Sequence, residues 1–389
     1  MVTQKLEEMR SNLDRIDRRL VETLEERLRA VAEIARLKAE GLPFLRDHER
    51  EARLLGRVED WARELGIDEF RTQEIFREVI AMSLKAQEEA LLKREQAQRS
   101  ARTAHRVSFQ GTFGAYSHIA ARKYFANRAT QIEFVGFPTF AEALEEAENG
   151  AAGYAFLPIE NTTAGSINET YDLLQRTELR IVGEEILQVR HCLAATEVVE
   201  VSAVRRVLSH PQALQQCSAF LRTLKGAEAV AFEDTAAAAR AVREAGDPLQ
   251  AAIASEEAAE LAGLEIIARD IANQTENWTR FVVISGIEME LDPRIAAKTS
   301  LVFTTKHHHG ALARCLEILA DHDLNLSKLE SRPVPRRPWE YLFYVDFEGA
   351  LSSEPAALAV AELRRDCPYF KVLGSYPART TAAGAVDRL

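Results

Sequence analysis

The chain has 389 residues, 47% of them hydrophobic and 28% charged, and a formal net charge of -11 at pH 7. That length allows two to three domains with cores of their own, and the hydrophobic share marks a folded chain. The acidic balance argues against nucleic acid as a partner. No apolar run approaches the ~18 residues of a membrane span, and the charged opening MVTQKLEEMR lacks a signal-peptide core, so a soluble cytoplasmic protein is expected. Cys192, Cys217, Cys315 and Cys367 are scattered without pair spacing, which predicts reduced, buried thiols.

From about Val2 to Arg99, charged and apolar clusters alternate with almost no proline or glycine, the pattern of helix. Breaks at GLPF and LGID divide this zone into a first helix of about 35 residues, a second from about Arg46 to Leu65 and a third from about Asp68 to Ala97. The first would be ~50 Å long, more than a small three-helix domain covers by itself, and packing against a second copy of the chain is expected. Its stripe at spacings of three and four runs Arg10, Leu13, Asp17, Leu20, Leu24, Arg27, Val31, Ile34, Lys38, so cations lie in line with leucines that should face a core. Such charges either snorkel at the edge of the stripe or need an anion. The third helix puts Ser83 and Gln87 on one face with Phe76, Ile80 and Leu91, and RDHERE opens the second with Arg46, Asp47, Arg50 and Glu51.

Cationic donors, neutral hydrogen-bonders and acidic acceptors without nucleophile, metal set or general-base histidine fit a hydroxylated polyanion transformed by electrostatics and shape. The order MR, ER, LK, RDHERE, S, Q resembles the all-helical chorismate mutase domain, an intertwined dimer. The resemblance implies rearrangement of chorismate to prephenate. Arg27 and Arg10 of the partner subunit would grip the two carboxylates, while Lys38 and Gln87 donate to the ether oxygen. Glu51, Asp47 and Arg50 would hold the ring hydroxyl, and Ser83 would assist at a carboxylate.

From about His105 to Gly286, short β-like runs alternate with helical patterns, which predicts a mainly parallel α/β architecture with its site where loops converge at strand ends. Four islands stand at such ends: FQGTFGAYSHIAA, LPIENTTAGSINETYDLL, VLSHPQALQQC and FEDTAAAAR. A fifth, NWTRF, opens the strand-like FVVISG. Some residues of the second island serve as helix caps on this reading, and Ser209 and Thr235 are candidate caps too. Together the islands resemble prephenate dehydratase, whose two α/β lobes are similar to periplasmic solute-binding proteins and hold the site between them. By that resemblance Thr279 donates to the departing hydroxyl, Arg280 anchors a carboxylate or braces the cleft, and Phe281 packs beneath. Glu160 or a water would help Thr279, and Asn161, Thr162, Ser166, Ser209 and Thr235 are candidates for further contacts. Thr162 stands where that family often has serine, and Ala115-Tyr116 where it often has Thr-Phe.

The last zone, from Lys298 to about Pro377, reads as strand, helix, strand, strand, helix, strand, a ferredoxin-like module, with a frayed tail after it. GALARCLEIL and LNLSKLESRP resemble an ACT domain. Its implied effector is L-phenylalanine, held by Gly310, Ala311 and Leu312 at a helix start and by Glu330 and Ser331. His307, His308 and His309 stand where an Asn-Pro-like approach is usual; in an extended run they face alternate sides, so no metal is expected there.

The expected fold class is therefore multidomain: residues 1–100 an all-α three-helix mutase domain, 105–286 a two-lobed α/β dehydratase domain, 298–378 a βαββαβ ACT domain. The whole resembles the bifunctional chorismate mutase/prephenate dehydratases of phenylalanine biosynthesis. That implies chorismate and prephenate as substrates, phenylalanine as feedback inhibitor, a homodimer or higher oligomer, and no cofactor. Alternatives from the same residues are a catalytically silent helical zone, arogenate as substrate, and a non-enzymatic amino-acid sensor.

Overall fold

The computed structural model describes residues 2–39, 48–99, 106–126, 131–287, 291–292, 295–334 and 339–379, and the chain divides into two compact units, 1–100 and 101–389. No described helix is long and apolar enough to cross a membrane. The four cysteines are free and buried.

The first unit is three helices, α1 (Val2–Ala39), α2 (His48–Leu65) and α3 (Glu69–Arg99). A turn at Gly66, with φ of 69°, separates the last two, and Asp68 restarts the helix by accepting the Arg71 N–H at 2.8 Å. Val31, Val58, Ala62 and Ile80 form its buried apolar interior. The amino-terminal half of α1 is different. Met9, Leu13 and Leu20 are 61%, 57% and 59% exposed, so the stripe expected to face a core does so only from about Leu24 to Val31.

In the second unit the chain builds one lobe from β1 (Arg106–Gln110), β2 (Glu133–Phe137), β3 (Tyr154–Asn161), the short β4 (Gly165–Ser166) and β5 (Arg180–Gln188). It then crosses to a second lobe of β6 (Cys192–Ala195), β7 (Arg206–Ser209), β8 (Glu228–Ala231), β9 (Gln250–Ala254) and β10 (Glu265–Ala268). Strand β11 (Trp278–Ser285) returns to the first lobe and inserts between β3 and β5, antiparallel to both. The sheets are thus mixed and not mainly parallel as expected. Pairs β1/β2, β1/β3, β7/β8 and β7/β9 are parallel, while β6 and β10 add antiparallel strands. Antiparallel strands appear where the chain passes between lobes, because a returning strand runs opposite to those it left.

The last strands are β12 (Ala297–Thr304), β13 (Leu326–Pro333), β14 (Tyr341–Glu348) and β15 (Tyr369–Pro377), with helices Ala311–Asp321 and Glu354–Asp366 as crossovers. This βαββαβ unit does not stand apart. Its β15 joins β5, giving a ten-stranded sheet in the order β13-β14-β12-β15-β5-β11-β3-β1-β2, with β4 on β3. One apolar core runs across the seam, from Leu157, Ile181 and Val282 to Val302, Tyr344 and Tyr376. At the seam Gly374 pairs with Ile181, and a Cβ at 374 would lie 2.1 Å from the Ile181 carbonyl oxygen. Gly374→Ala is therefore expected to lower the stability of the second unit by about 1–3 kcal/mol, seen as a lower melting temperature, with the helical unit unaffected.

Candidate functional sites

In the helical unit, Arg27 points from α1 to α3, where its guanidinium donates to the Val79 carbonyl at 3.2 Å and to the Ser83 hydroxyl. Ser83 passes its own proton to the Val79 carbonyl at 2.6 Å. One turn along, Gln87 is 8% exposed and its Oε1 has no hydrogen-bond partner among the described residues. Burial, and then the nearby charge of Arg50, lowers the Arg27 pKa. Arg27, Arg50, Ser83 and Gln87 are thus gathered on the faces the sequence assigned them, with Glu51 half-buried nearby on α2. Arg10 is exposed, in the same part of α1 as the exposed Met9, Leu13 and Leu20. The Lys38 side chain and Asp47 lie outside the described residues.

In the second unit the centre is the start of β11. Thr279 is 7% exposed and sits directly across from Asn161 on β3. Asn161 Nδ2 donates to Thr279 Oγ1 at 2.9 Å, while its Oδ1 accepts from the Thr163 hydroxyl and from the Thr163 and Ala164 N–H groups at 2.7, 3.0 and 2.9 Å. The amide is therefore locked with its N–H towards Thr279. Because Thr279 Oγ1 accepts this bond, its own proton remains to be given. Phe281, two residues on and on the same face, is 1% exposed and stacks on Phe156 with ring centroids 5.3 Å apart.

Arg280 faces the other way. Its Nε donates to Glu184 at 2.7 Å, one terminal nitrogen to Asp346 at 2.7 Å and the other to the Tyr376 hydroxyl at 2.8 Å. Lys298 reaches Glu184 at 3.1 Å, and Ser300 donates to Asp346 at 2.5 Å. Of the two roles expected for Arg280, these contacts support the brace, since each of its three nitrogens is already engaged by a residue of the protein.

Glu160 lies across from Arg280, at 3.8 Å from the guanidinium and 2.8 Å from Lys328. Ser166 donates to Glu330 at 2.7 Å and receives Lys328 at 3.2 Å, while Arg332 makes a bidentate bond to Asp172. Lys328, Glu330 and Arg332 alternate along β13 and all face the first lobe. Ser331 is exposed on the opposite face from Glu330, so the two are not brought together in this chain. Gly310, with φ of 77°, opens the helix Ala311–Asp321 without a side-chain cap; Ala311 is buried and Leu312 packs into the core below. His307, His308 and His309 are exposed, and no group of potential metal ligands occurs among the described residues.

Several expected contacts are corrected. Ser209 is fully buried and donates to the Ile253 carbonyl at 2.6 Å, so it ties β7 to β9 and caps nothing. The cap after β7 is His210, whose ring accepts the Gln212 N–H. Thr235 is the first helical residue after Asp234, and Asp234 is the cap, accepting the Ala237 N–H at 2.6 Å as well as two bonds from Thr112 of the first lobe. Thr162 is spent on the backbone, clipped between Glu276 O and Trp278 N. Nor do side chains of 160–166 cap the following helix, which Ile167 begins uncapped. Sequence reading passed over Asn277, Gln216 and His191. Asn277 and Gln216 lie within the quoted NWTRF and VLSHPQALQQC and His191 just before β6, and a polar side chain at a strand mouth was the available signal.

Comparison with known proteins finds a match for each unit. Residues 107–288 match the family described as Prephenate dehydratase, and 9–88 match Chorismate mutase type II. A bifunctional chorismate mutase/prephenate dehydratase of Enterobacter agglomerans is 38% identical over 98% of this chain and 98% of that one. A solved prephenate dehydratase from Arthrobacter aurescens, in complex with L-Phe, is 31% identical with a TM-score of 0.63, covering 72% of this chain and 97% of that one. A solved quorum quenching acylase, GqqA, is 35% identical with the same TM-score, covering 70% and 98%.

Glu184 carries a prediction. Burial alone would raise its pKa, but Arg280 and Lys298 hold it at about 2, below the ordinary 4.5. A depressed carboxylate contributes stability that is complete above pH about 4.5 and lost as pH falls towards 2, here on the order of 3 kcal/mol. Melting of the second unit followed against pH should show that loss, and Glu184→Gln should remove this part of the slope while lowering stability at neutral pH.

Proposed function

This chain belongs to the bifunctional chorismate mutase/prephenate dehydratase family, and from that premise we propose how its residues divide the two reactions. The helical unit rearranges chorismate to prephenate; the second unit expels carbon dioxide and the ring hydroxyl from prephenate to give phenylpyruvate. In the first, Arg27 grips a carboxylate of chorismate and Gln87 donates to the ether oxygen as negative charge grows there. The proximity of Arg27 and Arg50 supports this reading, since the charge of Arg50 disfavours that of Arg27 and an anion between the two relieves the repulsion. The uncovered Met9, Leu13 and Leu20 of α1 take a second copy of the chain, which brings Arg10 of the partner subunit to the site.

In the dehydration, the electron pair of the breaking C–C bond to carbon dioxide flows into the ring as the C–O bond to the leaving hydroxyl breaks. Thr279 donates its proton as a hydrogen bond to that oxygen. The observation that carries this is the Asn161 N–H on Thr279 Oγ1, which orients the hydroxyl as a donor. The same bond disfavours hydrolytic acyl transfer, for which the hydroxyl would need a base to take its proton. Residues 298–378 form the ACT domain, and L-phenylalanine is its effector, a reading supported by the ligand named for the Arthrobacter aurescens relative.

Thr279→Ala should lower prephenate turnover ~100-fold or more and leave the mutase untouched, whereas Arg27→Ala or Gln87→Ala should do the reverse. Following chorismate loss and phenylpyruvate absorbance on the same preparations checks both; wild-type dehydration by Thr279→Ala would remove that residue from the mechanism. Glu330→Gln should leave unliganded dehydration within about twofold and weaken inhibition by phenylalanine, read from the inhibitor titration, since only a charge-assisted contact to Ser166 is altered.

A further inference from the structure

The Thr279 hydroxyl is one end of a hydrogen-bond chain that passes from the first lobe into the second. Asn161 Nδ2, besides bonding Thr279, donates to Asn277 Oδ1 at 2.8 Å. Asn277 Nδ2 donates to Gln216 Oε1 at 3.2 Å, and Gln216 Nε2 donates to the Thr163 hydroxyl at 2.6 Å. His191 Nε2 lies 2.9 Å from that same Gln216 oxygen, and its Nδ1 lies 3.1 Å from the hydroxyl of Tyr116. Asn161, Asn277 and His191 are 5%, 1% and 2% exposed, while Gln216 between them is half-buried.

Polarity then follows from valence. Gln216 Oε1 can only accept, which places a proton on His191 Nε2. Burial lowers the His191 pKa, so the ring is neutral and its Nδ1 is bare, facing the Tyr116 hydroxyl, whose proton the Arg190 carbonyl also approaches at 2.5 Å. The donors of His191 and Asn277 converge on Gln216 Oε1, which leaves Asn277 Oδ1 turned to accept from Asn161 Nδ2. We infer that His191 is a positioning residue for the dehydration: its Nε2–H fixes the Gln216 amide, and through Asn277 keeps Asn161 presenting N–H to Thr279. This deepens the reading of Thr279 above and rests on it. An Asn161 amide turned over would instead accept the Thr279 proton and withhold it from the leaving oxygen.

The test compares His191→Leu, His191→Gln, Asn277→Ala and the double variant His191→Leu/Asn277→Ala in the full chain, with kcat and KM for prephenate. His191→Leu is expected to lower kcat ~10-fold with KM within about twofold, His191→Gln to recover most of it by returning an N–H near the Nε2 position, and the double variant to be no worse than Asn277→Ala alone. A merely structural histidine gives instead equal damage from Leu and Gln, full additivity with Asn277→Ala, or no change in kcat, and any of these overturns the inference. If His191→Leu does not fold, as judged by circular dichroism, an Asn277→Ala enzyme with unchanged kcat overturns it and one with a kcat-only loss, matched by a near-normal His191→Gln, supports it. The two readings fail separately: a fully active Thr279→Ala enzyme sinks both, whereas an inactive one beside a wild-type His191→Leu sinks the positioning role alone.

Discussion

The second unit is organised around a buried cluster of four charges, Arg280 and Lys298 against Glu184 and Asp346. They come from β11, β12, β5 and β14, and their side chains are 9%, 1%, 0% and 10% exposed. Charges so placed are costly to bury and tolerable only when each is paired and hydrogen-bonded. Here the signs balance, and Ser300, Tyr376 and the Arg379 N–H fill remaining valences. Removing one member leaves its partners charged in the interior, so the cluster fixes how β11 sits between the first lobe and the βαββαβ unit.

That constraint reaches the chemistry because strand geometry turns successive side chains to opposite faces. With Arg280 held on one face, Thr279 and Phe281 are presented on the other, where Phe156 supports the ring of Phe281 and Asn161 sets the hydroxyl of Thr279. A donor aimed at developing charge is effective only if it does not have to reorient during the reaction. The helical unit meets the same requirement differently. It brings Arg27 onto a hydroxyl and a carbonyl of the facing helix and leaves the buried Gln87 Oε1 without a partner among the described residues.

Local chemistry was readable from the chain. Glycine and proline punctuation separates the three helices, the strand and helix alternation marks the lobes, and the spacing that pairs Ser83 with Gln87 on one face of α3 and lines Arg27 up with the leucines of α1 is visible in the residues alone. What escaped depends on partners distant in sequence. The enclosure of Arg280 involves residues 66 and 96 positions away, so nothing next to TRF announces it. Ser209 and Thr235 stand where capping residues stand, yet a carbonyl of β9 claims one and the preceding Asp234 displaces the other. Mixed strand direction was equally hidden, because a returning strand such as β11 has the same apolar texture whichever way it runs. Arg10, expected to serve the site of a partner subunit, is exposed in the single chain.

Strand β13 sits at the rim of the large sheet, and its side chains divide by parity. Even-numbered Lys328, Glu330 and Arg332 grasp the first lobe, while odd-numbered Ser327, Leu329 and Ser331 look outward. A ribbon of this kind behaves as a two-sided lever: whatever seats against its outward row must tilt or shift the inward row by the same rigid backbone. The grip on Ser166 and Glu160, beside the paired Asn161 and Thr279, is in that sense the back of a surface that meets solvent.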